Sequence, residues 1–285
     1  RRAGIELQGS VEISGTVDEE SGGFAGVAWL ATHGRLSSAR CDYVIIPEPL
    51  NVDRICLGHR GVYWFELETR GRIAHGSMPF LGVSAIDHMS LILERVHREL
   101  VPSLLERRTA MPVVPEKARH ATLNINGING GQQVDGIQTP CVADVCRAVF
   151  DRRFLPEEGL EAVKAEILAL VERAVRETPA LDCQVRDLMV VHPVCAPAGS
   201  PLVAALERGI QRVLGRAATL VASPGTYDHK HVDRIAGIRH CVAYGPGILD
   251  LAHQPDEWCS IDDLLDATKI LALSILELTN HAVPS

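Results

Sequence analysis

Aromatic residues are scarce. Phe, Trp and Tyr make up 4% of the 285 residues, so a core must be built mainly from aliphatic side chains. No apolar run approaches the ~18 residues that a membrane-spanning helix needs. The two N-terminal arginines are not followed by the apolar stretch of a signal peptide, so a cytoplasmic location is expected. Basic charge is also short: 28 Lys and Arg stand against 36 Asp and Glu, a net charge of −8. A phosphate-binding surface needs a basic stripe, and none is visible, which argues against nucleic acid as a partner. The eight cysteines, Cys41, Cys56, Cys141, Cys146, Cys183, Cys195, Cys241 and Cys259, form no CxxC pair. In a chain of this length they read as reduced thiols rather than a disulfide framework. What remains is the composition of a soluble globular protein, 46% apolar and 22% charged, long enough for one large domain or two ordinary ones.

Residues 5–17 alternate as a strand, and GGFAGVAWLATHG reads as a helix started by its glycines. CDYVIIPEP is a short apolar run stopped by Pro-Glu-Pro, the pattern of a strand leaving a sheet. GVYWFELETRG alternates as an antiparallel strand with one wet face. A helix follows, with Ile86, Met89, Leu93, Val96 and Leu100 at helical spacing, then a charged, Pro-containing loop over 102–119. HATLNINGINGG and ADVCRAVFDRRFLP read as strands. Residues 157–177 form an amphipathic helix with Leu160, Val163, Ile167, Leu170, Val171 and Ala174 on one face. Ser200-Pro201 starts a further helix, with Ser200 as its cap. IRHCVAYGPG is a strand running into a turn, and Ser260 caps a long last helix with Asp263 at the capping-box position. The layout is an α/β domain in two parts, 1–60 and 193–285, split by an inserted α+β (ferredoxin-like) domain over 61–192.

Four places can carry chemistry. Asp18-Glu19-Glu20 ends an apolar run and precedes Gly22-Gly23; there one carboxylate can hold a metal while its neighbour stays free as a base. Glu48 lies just past the apolar run of residues 43–46. His253 follows a Gly-Pro-Gly turn in a polar, site-lining loop, and His75 stands at a strand-to-helix turn of the insert. Oxygen donors alone suit magnesium or calcium; added histidine shifts the choice toward zinc.

TVDEESGG, DYVIIPEP, RGRIAHGSMPFLGVSAI, NINGINGG, FDRRFLP, SPGTYDHKH and GPGILDLAHQPDEW, in this order along the chain, resemble the zinc-dependent amidohydrolases. That family includes acetylornithine deacetylase, succinyl-diaminopimelate desuccinylase, aminoacylases and glutamate carboxypeptidases. The resemblance implies hydrolysis of the amide bond of small N-acyl amino acids at two zinc ions, with cobalt or manganese as substitutes. It also implies a lid that pairs the chain into a homodimer. Glu19 would be the general base and His75 the oxyanion donor. Glu20 and His253 would hold one metal and Glu48 the other. Arg153 and Lys230 would face a substrate carboxylate. Thr226, Gly245 and Gly247 would line the pocket.

The chain departs from that pattern in two places. The His-x-Asp motif and the bridging aspartate that precede the acidic pair in the family are absent, so the chain resembles the C-terminal part of a longer enzyme and is expected to be inactive by itself. A family asparagine near the DRR strand is replaced by a stretch in which Asp135, Gln138 or Thr139 takes its place. Two other readings stand beside the deacylase: a non-catalytic copy that acts only through the lid, and a dipeptidase or carboxypeptidase of the same family.

Overall fold

The computed structural model describes residues 7–131, 133–134, 137–138 and 140–280. The chain forms two compact units: residues 1–59, 111–114 and 194–285 make the first, and 60–110 with 115–193 the second.

The first unit begins with an irregular segment. No strand forms over 7–17, contrary to the alternation read there. Val11, Ile13 and Val17 are exposed, Ile13 at 93%. Alternation makes a strand only when a neighbour takes up the backbone hydrogen bonds, and among the described residues none does. The first helix, α1, is only Val27–Thr32, because Gly22 and Gly23 adopt left-handed φ and shape a turn instead. Strands β1 (Val44–Ile46) and β2 (Arg54–His59) follow.

The chain then enters the second unit. It runs through β3 (Gly61–Arg70), α2 (Ala85–Arg95), α3 (Val101–Glu106), β4 (Thr122–Gly130), the short pair β5 (Gln133–Val134) and β6 (Ile137–Gln138), β7 (Val145–Phe154), α4 (Leu160–Glu177) and β8 (Asp182–Val191). The main sheet is antiparallel in the order β4-β7-β3-β8. With α2 and α4 this is the βαββαβ arrangement expected of the insert. Tyr63, Phe65 and Leu67 of β3 and Ala148 and Phe150 of β7 are buried with Met89 and Ile92 of α2 and Val163, Ile167 and Val171 of α4. The opposite face of the sheet carries Glu66, Glu68, Arg147 and Arg186, joined as ion pairs.

Three local readings of this unit are corrected. The buried stripe of α2 is Ala85, Met89, Ile92 and Val96, while Ile86 is exposed. A π-turn at Val96–Leu100 joins α2 to α3. Its wider turn keeps Val96, Leu100 and Leu104 on one face, where four-residue steps in a plain α-helix would drift. Residues 101–106 are helical, since Pro102 falls in the first turn, where its missing N–H costs nothing. Strand β8 gave no clear pattern in sequence; its register slips at Trp64/Phe65 of β3.

Back in the first unit come β9 (Val194–Cys195), α5 (Pro201–Leu214), β10 (Thr219–Ser223), α6 (His229–Arg234), β11 (Cys241–Ala243) and α7 (Ile261–Asn280). The sheet order is β1-β11-β2-β10, with β9 on β2. Its core joins Ile55, Leu202, Leu206, Ile210, Val242, Tyr244 and Ile270. Gly209 lets α5 and α7 close: a Cβ there would stand 3.0 Å from the Ser274 hydroxyl. Ser260 accepts the Asp263 N–H at 3.4 Å, as expected of a cap. Ser200 does not cap α5; its hydroxyl pairs with His240 Nδ1 at 3.0 Å. Among the described residues no helix is long and apolar enough to cross a membrane.

Candidate active site

The candidate site of the first unit grows from a parallel strand pair. β1 and β11 run side by side, from Val44 opposite Cys241 to Ile46 opposite Ala243, so the chain leaves both at the same edge of the sheet. Loops at the carboxyl ends of parallel strands are where α/β folds present functional groups. Glu48 follows β1 there, and Gly245 follows β11. A Cβ on Gly245 would sit 2.7 Å from the Glu48 carbonyl oxygen. Gly247, at φ 101°, accepts the Asn51 N–H at 2.8 Å. The two glycines expected to line the pocket therefore lie against the Glu48 segment, where only glycine permits the backbones to pass so closely.

The acidic loop is a tight turn. Asp18 has φ 71°, Glu19–Ser21 form one turn of 3-10 helix, and Gly22 and Gly23 follow at φ 113° and 75°. The N–H groups of Ser21 and Gly23 donate to the Asp18 carbonyl at 3.2 and 2.6 Å. The Asp18 carboxylate accepts the Ala25 N–H at 2.9 Å. Asp18 is thus a turn-former, and Glu19 and Glu20 are the free acids. Glu19 is half-buried and Glu20 exposed.

Like charges converge here. Burial, then Asp228 and Glu20, raise the Glu19 carboxyl above its ordinary range. Burial, then Glu19, Asp228 and Glu20, push Glu48 up to about 7. Burial likewise raises Asp228, despite Lys230 beside it, and lowers the Lys230 ammonium. Lys230 Nζ stands 4.0 Å from Asp228 Oδ1, with both side chains almost wholly buried. Asp228 and His231 were not singled out in the sequence. The available signal was TYDHKH itself, a run of charged and imidazole side chains directly after a short apolar segment. Thr226 precedes this run and is half-buried.

His253 also has a left-handed backbone, φ 62°. Its Nε2 lies 3.8 Å from Glu20 Oε2, with both side chains exposed. Carboxylate with imidazole is a donor pair of the kind zinc takes. Glu48 is close enough to be coupled electrostatically to Glu20. Among the described residues, however, no group of three or more His, Cys, Asp or Glu could hold a metal ion. The residues present fit a ligand pair and not a complete metal centre.

Two of the expected site residues belong to the second unit. His75 is exposed, and its Nδ1 accepts the Ser77 N–H at 3.2 Å and pairs with the Ser77 hydroxyl at 2.8 Å. Accepting at Nδ1 leaves the hydrogen on Nε2, the tautomer an oxyanion donor requires. Arg153 is already engaged: its Nε and Nη2 donate to the two carboxylate oxygens of Asp151 at 2.7 and 2.9 Å. A substrate carboxylate would have to compete with Asp151 for that fork. Asp135 and Thr139 lie outside the described residues, and Gln138 ends the short strand β6.

Residues 57–179 match the family described as the peptidase dimerisation domain. The chain is 27% identical over 270 residues to the acetylornithine deacetylase of Myxococcus xanthus, covering 95% of this chain and 65% of that protein. It is 29% identical over 295 residues to the N-formyl-4-amino-5-aminomethyl-2-methylpyrimidine deformylase of Bacillus subtilis, again covering 95% of this chain and 65% of the relative. The chain thus spans less than two thirds of the length of these relatives. In fold it is similar to an M20 family metallo-carboxypeptidase, Sso-CP2, from Sulfolobus solfataricus. The TM-score is 0.65 at 19% identity, over 92% of this chain and 68% of that one.

The matched residues 57–179 take in the antiparallel sheet of the second unit, and the likeness to the curated relatives extends over both units. The chain carries the M20 peptidase dimerisation domain over residues 57–179 and is similar over nearly its whole length to relatives such as acetylornithine deacetylase.

Proposed function

We propose that this chain carries the general base and part of the metal-ligand set of a hydrolase that cleaves the amide bond of small N-acyl amino acids. The observation that carries this reading is Glu19: a half-buried carboxyl, raised by burial and by Asp228 and Glu20, next to the Glu20–His253 pair. A carboxylate made more basic in this way is suited to take a proton from water and return it to the leaving amine. Glu20 with His253 would hold one zinc ion and Glu48 another, with cobalt or manganese as substitutes. A divalent ion held there would supply Lewis-acid polarisation of the scissile carbonyl. His75 would offer its Nε2–H to the developing oxyanion in the site of a partner chain. Lys230 would receive the substrate carboxylate, and Thr226, Gly245 and Gly247 would form the pocket lining. The dimerisation unit pairs two chains. The relatives named above, a deacetylase and a deformylase, support amide hydrolysis over cleavage of longer peptides.

The donor set is partial, so the dialysed chain is expected to retain fewer than two zinc ions by elemental analysis and to turn over N-acyl amino acids slowly by itself. Two zinc ions per chain would refute that part. Supplying the region of the Myxococcus relative that this chain does not match should raise turnover of N-acetyl and N-succinyl amino acids. Glu19→Gln should then lose 100-fold or more, on the order of a general base's share. Turnover unchanged by that substitution would overturn the role of Glu19. A second reading, a non-catalytic chain acting through dimerisation, draws on the match of residues 57–179; it predicts no turnover under any of these conditions.

A further inference from the structure

The hydrogen bonds inside the acidic loop close the turn on itself. Asp18 takes the N–H groups of Ser21, Gly23 and Ala25, and none of these bonds fixes where the turn sits. The fixing groups come from α6 and its cap. His231 Nε2 lies 2.7 Å from the Gly22 carbonyl oxygen. A carbonyl only accepts, so this nitrogen carries the hydrogen. The Phe24 ring meets the same imidazole edge-on, with centroids 5.3 Å apart. Gly23 rests on Asp228: a Cβ there would stand 2.0 Å from Asp228 Oδ1 and 3.2 Å from His231 Cδ2. Asp228 Oδ1 is buried and accepts no hydrogen bond. The helix is held independently of these polar groups, because Val232 and Ala236 share an apolar cluster with Ala31 of α1.

We propose that His231 is a positioning residue: its Nε2–H, donated to the Gly22 carbonyl, anchors the loop that presents Glu19 and Glu20, with Asp228 as the wall against which Gly23 lies. The catalytic consequence rests on the reading of Glu19 and Glu20 given above; the anchoring itself does not. His231 touches no reacting group and acts only through the loop.

Hydrogen exchange followed by mass spectrometry on the whole chain tests the anchor. The probes are the amides of Ser21, Gly23 and Ala25, with β11 as internal control. His231→Ala should speed exchange in 18–26 by about three- to tenfold, the worth of one hydrogen bond. β11 should stay unchanged, and the urea midpoint should fall by no more than the worth of that one bond. His231→Gln, which keeps a donor at similar reach, should restore slow exchange. Unchanged exchange in the alanine variant overturns the proposal. So does equal acceleration in both variants, or a lowered urea midpoint in both, since His231 would then be ordinary packing. In the complemented hydrolysis assay His231→Ala should lower kcat with KM held, and His231→Gln should recover it. Faster exchange with unchanged kcat leaves the anchor standing and counts instead against Glu19 as the base.

Discussion

Replacing Glu158 with Gln removes the counter-charge of a guanidinium that has no access to water. The Arg152 side chain is 0% exposed and that of Glu158 9%. Arg152 Nη2 donates to Glu158 Oε1, and Arg107 Nη1 donates to the same oxygen at 2.9 Å. The other carboxylate oxygen accepts the Leu155 N–H at 2.7 Å. Arg152 Nη1 reaches the Arg153 carbonyl at 2.5 Å, and its Nε has no hydrogen-bond partner. Burial already lowers the guanidinium from its ordinary range in spite of Glu158, so the pair attracts by less than its desolvation costs. Breaking such a pair from one side costs about 3–5 kcal/mol. Arg107 keeps a second partner in Glu166, so the loss falls on Arg152. With a urea slope of about 2–3 kcal/mol/M, the unfolding midpoint of the second unit should fall by about 1–2 M. Tryptophan fluorescence reads this directly: Trp29 and Trp258 are exposed, whereas Trp64 lies half-buried on β3 of that unit. Replacing both partners, Arg152→Met with Glu158→Leu, should cost less than Glu158→Gln by itself, because no charge is then stranded. A shift below about 0.3 M for the single variant, on the same slope, would refute the reasoning. A double variant at least as unstable as the single one would do the same.

His229 is buried, and burial lowers its pKa to about 4, against about 6.5 in an unfolded chain. The unfolded state therefore takes up a proton first, so stability falls as pH drops from about 6.5 to about 4, by at most ~3 kcal/mol. Urea midpoints between pH 7 and 4 should show this slope, and His229→Gln should flatten it; an equal slope in the variant contradicts the assignment. Gly23→Ala forces a Cβ into the space of Asp228 Oδ1 at φ 75°. It should destabilise the chain by more than the ~1 kcal/mol of a left-handed residue alone, a loss measurable by thermal unfolding; a change under ~0.5 kcal/mol, half that cost, would mean the loop does not rest on Asp228.

Much of the fold is legible in the sequence because it depends on local periodicity. The α4 face, Val163, Ile167, Leu170, Val171 and Ala174, is buried as the spacing predicts. So is the dry face of β3. Glu19, Glu20 and Glu48 stand out as candidates for a related reason: acids between an apolar run and a Gly or Pro turn stand where α/β folds present functional groups. The family pattern then supplies their order. Other features were not legible. Residues 7–17 alternate and form no strand, and Ser200 stands in a capping position and bonds His240 instead. In α2 the expected Ile86 is exposed and Ala85 takes the buried place, while Met89, Val96 and Leu100 are buried and Leu93 packs against the core.

What the sequence determined by itself is much of the order of elements and the amphipathic faces of α4 and β3, and it singles out Glu19, Glu20 and Glu48 as candidate acids. Each follows from the spacing of apolar side chains or from turn chemistry within a few residues. Only the tertiary structure decided which polar groups lose water and which partners they then meet. It placed Asp228 and His231 under a loop some two hundred residues earlier in the chain. It tied Arg153 to Asp151 and buried Arg152 on Glu158. Desolvation and close backbone approach depend on segments brought together from a distance, even where, as for Arg152 and Glu158, the two partners lie a few residues apart and it is the surrounding fold that buries them.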